Sequence, residues 1–127
     1  MKMRSPLARV RGLGSAKDGL RHWRMQRLTA VALVPLSLWF VASIIAVAHA
    51  DYRGVVEWLS SPLVAVLMLA LIWALFYHAK LGIQVVFEDY LHTEWLKFAC
   101  LIALKFAVVL LGLASTIAVL RIAVGAH

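Results

Sequence analysis

The sequence predicts an all-α membrane protein of three transmembrane helices, and three observations carry that prediction. Hydrophobic residues fill 64% of the 127 positions and the mean hydropathy is +0.89, far too apolar for a soluble domain of this size. Uninterrupted apolar runs reach the roughly 20 residues that a helix needs to cross a bilayer core. The formal net charge of +7 gathers ahead of the first apolar run, as an orientation signal and an attraction for anionic lipid head groups rather than a nucleic-acid surface. The single Cys100 can form no internal disulfide and belongs to no cysteine metal cluster, so it is read as a small apolar filler.

Residues 1–27 form a basic segment. Lys2, Arg4, Arg9, Arg11, Lys17, Arg21, Arg24 and Arg27 stand there against one acid, Asp18. Gly12, Gly14, Ser15 and Gly19 argue against a long regular element. A retained cytoplasmic segment is the preferred reading and a mitochondrial presequence the lesser one. A secretory signal fits poorly, because the following apolar run is too long and lacks a small-residue cleavage site.

The three-helix anchor occupies residues 28–124. Its first span runs from about Leu28 to Ala48, interrupted by Pro35, which bends a membrane helix and leaves a carbonyl for neighbours to satisfy. His49 to Gly54 mark an exit into water, with Tyr52 and Trp58 as aromatic-belt residues. Ser61 and Pro62 read as a helix start, the serine at the cap and the proline at the first position. The second span covers about 62–87. Glu88, Asp89, His92 and Glu94 return the chain to water beside Trp95. The third span covers about 98–124, with Lys105 one or two turns inside and able to snorkel. Gly112 and Ser115 are small residues of the kind that let membrane helices approach closely. Eight basic residues before span one, against Arg53 alone in the first loop, put the N-terminus and the Asp89–Tyr90 loop on the cytoplasmic side and His127 outside.

Nearly all the polar chemistry of the embedded part lies between Phe76 and Tyr90. At about 100° per residue, Gly82 falls within roughly 40° of His78, and Asp89 within about 20°. One stripe thus presents an imidazole, a position without a side chain, and a carboxylate about 16 Å further along. A histidine at the depth of His78 is costly unless paired or ligated. Position alone leaves haem ligation level with a neutral histidine hydrogen-bonded to a neighbouring helix. His22, His49 and His92 lie at or beyond the membrane surfaces. If His78 binds haem, its trans ligand is therefore absent or supplied by another polypeptide.

Gly82 one turn on can admit a porphyrin edge, although close helix packing is the commoner reason for such a glycine. Lys80 points nearly opposite His78 and can meet a propionate or Glu88; snorkelling is the simpler account. Asp89 and Tyr90 at the boundary are, on position alone, a solvated carboxylate and a belt tyrosine. A phenol there can also hydrogen-bond a quinone carbonyl without carrying charge. Arg27 is either a positive-inside anchor or the partner of a haem propionate.

His78-x3-Gly82-x6-Asp89-Tyr90 on the second of three spans resembles the signature of the hydrophobic membrane-anchor subunit of succinate dehydrogenase, the small cytochrome b subunit. Arg4-Ser5-Pro6-Leu7, Gly12-Leu13-Gly14-Ser15-Ala16-Lys17, His22-Trp23 and Gln26-Arg27 before span one resemble its alphaproteobacterial form. The resemblance covers essentially the whole chain. It implies that His78 is an axial ligand of a b-type haem shared with a second membrane anchor of the cytochrome b type, which supplies the other histidine. It gives Tyr90 a place in ubiquinone binding, with Asp89 as its neighbour, and Arg27 a place near a propionate. It also implies an iron–sulfur subunit and a flavoprotein subunit as partners, and the bacterial inner membrane as the location, the mitochondrial inner membrane being the lesser alternative. Competing readings are a cofactor-free structural anchor, the anchor of a related fumarate reductase, and a small cation exporter. The last fits poorly, since the carboxylates lie at the boundary rather than in mid-membrane.

Overall fold

Four helices follow one another in the chain: α1 (Pro6–Val47), α2 (Tyr52–Ser60), α3 (Pro62–Tyr90) and α4 (Glu94–Ala123). They come from a computed structural model that describes residues 6–125, with side chains from residue 19 onward. Lys2, Arg4 and Ser5 of the basic tract, and His127, lie outside the described residues. Among the described residues, three stretches are long and apolar enough to cross a membrane: Gly19–Val47, Pro62–Tyr90 and Glu94–Ala123. At 1.5 Å per residue each exceeds the roughly 30 Å hydrocarbon core, so their ends project into the head-group layers.

The first helix corrects the expectation of a broken N-terminal segment. α1 runs unbroken from Pro6 through Gly12, Gly14 and Gly19, and past Pro35, to Val47. A helical glycine costs only about 1 kcal/mol relative to alanine, and Ala8, Arg9, Leu13, Ala16 and Lys17 around these glycines are good helix formers. Pro6 suits a first helical position, where its missing N–H is no loss.

The first loop, expected only as an exit into water, holds a helix. Asp51 caps α2 by accepting the Gly54 amide at 2.9 Å, and Val56 is buried beneath it. Ser60 Oγ lies 2.7 Å from Val56 O and 3.3 Å from Ile122 O, tying α2 to the far end of α4. Trp58 stacks on Trp39 of α1 at a centroid distance of 6.2 Å. Ser61 does not cap α3 through its side chain, although Pro62 does take the first position. What Ser61 contributes is its carbonyl, which accepts the Ala65 amide at 2.9 Å.

α3 is the central helix, packed on α1 along one side and on α4 along another. The α3–α4 seam closes on Gly112. Trp73 lays its indole over that glycine and donates Nε1–H to Thr116 Oγ1 at 2.9 Å. Thr116 in turn donates to Gly112 O at 2.7 Å. A Cβ at Gly112 would stand 2.9 Å from Trp73 Cη2 and 3.0 Å from Cζ3, with the ring pinned by its hydrogen bond. Gly112→Ala is therefore expected to force the two helices apart, at about 1–3 kcal/mol for overpacking. A lowered thermal midpoint of the detergent-solubilised protein would register this, and an unchanged one would contradict the seam.

Little else is sealed. Among the described residues, Ala65, Leu71, Leu81 and Val119 are the buried apolar residues of the three long helices, whereas Val31, Leu38, Ile45, Val66, Phe106 and Leu110 stand exposed. Such a broad apolar exterior is incompatible with water and suits contact with lipid or other membrane helices.

Candidate functional site

His78 stands close to the middle of α3, 16 residues after Pro62 and 12 before Tyr90. That is about 24 Å and 18 Å from the two helix ends, deeper than a second span ending at residue 87 would place it. Its Nδ1 lies 3.0 Å from Oγ1 of Thr29 on α1. Thr29 is only 8% exposed and is the buried polar residue of the described chain. The same oxygen lies 2.8 Å from Met25 O and 3.0 Å from Gln26 O, one turn back along α1. Among the described residues, Nε2 of His78 has no hydrogen-bond partner. Nor is it one of the sealed, unpartnered polar atoms, of which His22 Nε2 is the single case among those residues. The imidazole is thus held by one nitrogen, and the other is free and reachable.

Gly82 faces the same seam. A Cβ there would lie 4.0 Å from Nε2 of Gln26, so α1 lays an amide across the position. An alanine methyl there would make only ordinary van der Waals contact, so packing within the chain does not demand a glycine at this position.

The seam has a polar stripe that sequence reasoning missed. His22, Gln26 and Thr29 follow at i, i+4 and i+7, one face of a helix. Thr29 lies beside His78 and Gln26 beside Gly82. The same antiparallel register brings His22 level with Val85 and Val86, one turn short of Asp89. The signal in the sequence is three polar residues at helical spacing running into an apolar span, but each alone looks like boundary chemistry.

The remaining candidates lie apart from His78. Asp89 and Tyr90 are exposed at the end of α3, Tyr90 at 74%, about 16–18 Å along the helix from His78. Arg27 is exposed, its guanidinium 5.1 Å from the centroid of Trp23, and its helical position is about 160° around α1 from Thr29. The chain alone does not bring Arg27 to the imidazole. Lys80 forms no ion pair with Glu88 among the described residues. Its Nζ lies 5.3 Å from the Tyr77 ring centroid, one turn deeper, beside a groove of about 360 Å³ shared with Trp73, Lys105 and Val109.

Among the described residues, no three of His, Cys, Asp and Glu gather into a metal site. One free imidazole nitrogen is what this part of the chain offers to a metal.

Comparison with known proteins adds a consistent set of relatives. Residues 1–112 match the family described as succinate dehydrogenase/fumarate reductase transmembrane subunit. A succinate dehydrogenase hydrophobic membrane anchor subunit of Rickettsia bellii is 35% identical over 116 residues, 91% of this chain and 93% of the relative. Its counterpart in Rickettsia conorii is 30% identical over 103 residues, covering 80% of this chain and 82% of that one. That of Rickettsia typhi is 27% identical over 116 residues, or 91% and 93% of the two chains.

Proposed function

This chain belongs to the succinate dehydrogenase/fumarate reductase transmembrane subunit family, and from that premise we propose that it anchors a succinate:ubiquinone oxidoreductase, respiratory complex II. In this reading it co-ligates a b-type haem and forms part of the site where ubiquinone is reduced. The observation that carries the proposal is the free Nε2 of His78 near the centre of a membrane helix, with Nδ1 already bonded to Thr29. An intramembrane imidazole with one nitrogen anchored and the other open is the donor that axial ligation requires.

The residues fit the group. His78 would supply one axial ligand, and a second membrane anchor the other. Haem, when bound, supplies a one-electron carrier inside the membrane. The chain's own residues do the rest. α1 fixes the imidazole and excludes water from its Nδ1 side. Arg27, with no carboxylate paired to it among the described residues, is offered to a propionate. At the end of α3, Tyr90 donates its phenolic O–H to a quinone carbonyl, and Asp89 exchanges protons with the aqueous boundary next to it.

The two soluble partners are a flavoprotein that oxidises succinate and an iron–sulfur protein that passes its electrons on. The basic N-terminal segment favours a cytoplasmic N-terminus in the bacterial inner membrane, which sets Asp89 and Tyr90 on the side where those partners dock. A second reading is favoured by the Thr29 bond taken alone. His78 then ties α3 to α1 in an anchor without a cofactor, serving either succinate oxidation or fumarate reduction. The readings part at Nε2.

Anchoring itself is tested without reference to haem. Deleting the gene is expected to move succinate oxidation, assayed with an artificial acceptor, from the membrane pellet to the soluble fraction. Affinity capture of the chain from mild detergent is expected to bring down a flavoprotein and an iron–sulfur protein. Activity that stays in the membranes of the deletion strain would remove the anchor role.

A further inference from the structure

The hydroxyl of Thr29 has more neighbours than protons. It lies within 3.0 Å of three atoms: Met25 O, Gln26 O and Nδ1 of His78. The two carbonyls can only accept. A threonine hydroxyl has a single proton to give, and threonine in a membrane helix commonly returns it to the carbonyl one turn back. The shortest of the three contacts is that one, Met25 O at 2.8 Å. With the proton committed there, the oxygen's lone pairs face His78, and the bond across the seam is a donation from Nδ1–H to Oγ1. Thr29 is buried, so no water competes for either role.

We infer that Thr29 is the positioning residue that fixes His78 in its Nδ1–H tautomer, leaving the Nε2 lone pair directed out of the α1–α3 seam for a metal. This deepens the haem reading above and rests on it. A neutral imidazole has two tautomers, and only one leaves a given nitrogen able to ligate. A hydroxyl that is itself locked as an acceptor toward the ring selects that tautomer before any metal arrives and fixes the ring plane as well. The bond also draws Nδ1–H toward oxygen, which makes Nε2 a stronger electron-pair donor. A stronger donor favours the ferric over the ferrous iron and lowers the reduction potential. Gln26, one turn along, bears on Gly82 rather than on the ring, so among the described residues Thr29 alone performs this task.

The test uses the purified whole complex and two variants. Thr29→Val keeps the shape and removes the acceptor. Thr29→Ser keeps the acceptor and removes a methyl group. The readouts are haem content and the haem midpoint potential from a redox titration, neither of which is turnover. The expected result is a haem potential shifted upward in Thr29→Val and near wild type in Thr29→Ser. Loss of haem from the valine variant with retention in the serine variant equally supports the assignment, because valine keeps the bulk and lacks the acceptor whereas serine loses bulk and keeps the acceptor. A wild-type potential in Thr29→Val would overturn it, and so would equal damage in both variants. These failures are separable from failure of the haem reading. If His78→Ala has lost the haem while Thr29→Val is unchanged, the ligand stands and only the role of Thr29 falls.

Discussion

His78→Ala is expected to abolish the b-type haem spectrum of the purified complex while leaving the anchor in the membrane. The imidazole is the one free nitrogen donor near the centre of α3, and among the described residues no cluster of ligating side chains stands by to replace it. The cost to the fold is small by comparison. One hydrogen bond across the α1–α3 seam is lost, about 1 kcal/mol for a neutral pair between membrane helices. Thr29 remains satisfied through Met25 O, so no buried hydroxyl is orphaned. The comparison with Gly112→Ala is informative. That change strains the α3–α4 seam rather than the α1–α3 seam that holds the imidazole, and it is expected to lower stability without selectively removing haem absorption. A complex carrying His78→Ala with an unaltered reduced-minus-oxidised spectrum would remove the ligand assignment.

Tyr90→Phe is expected to slow succinate–ubiquinone reduction by about tenfold or more while sparing succinate oxidation by an artificial acceptor. The phenol is 74% exposed, so its loss deletes no core contact, and phenylalanine keeps the ring. What goes is one donor to a quinone oxygen that gains charge as it is reduced. Losing such a bond costs about 1–3 kcal/mol, the upper part of that range applying where the group is charged. Because the acceptor dye bypasses the quinone, an equal loss in both assays would point to faulty assembly and count against the role of Tyr90.

Much of the architecture is legible from hydropathy and charge, because a membrane span is specified by length and apolarity more than by packing detail. The three spans and the placing of His78 well inside the second follow from that, and the packing role of Gly112 from its size. Less legible are features settled by neighbours. Nothing in Tyr52–Ser60 outweighs Gly54 as a helix signal until Asp51 caps it and Val56 is buried. The glycines of α1 look like breaks, yet their separate costs are small against the propensity of the residues between them. Lys80 has the reach to snorkel, but its ammonium turns to the ring of Tyr77, one turn deeper. Thr29 is invisible for a further reason. A single threonine among leucines and alanines has no meaning until another helix sets an imidazole beside it.

The same contrast separates the parts of the site. His78 stands out because an imidazole in hydrocarbon is conspicuous on its own. Asp89, Tyr90 and Arg27 lie at the boundary, where their side chains are ordinary, and in the single chain they make no contact with His78. On the proposed reading their roles belong to surfaces shared with other subunits, so one chain's sequence and fold yield the parts rather than their closure.

The central claim is tested most directly by a side-chain-resolution cryo-electron microscopy map of the purified complex, read at the His78 ring. The prediction is a haem iron bonded to Nε2, with Nδ1 on Thr29 and the second axial histidine contributed by the partner anchor. A ring that touches only neighbouring side chains, with no redox group lodged between this chain and its partners, would contradict it.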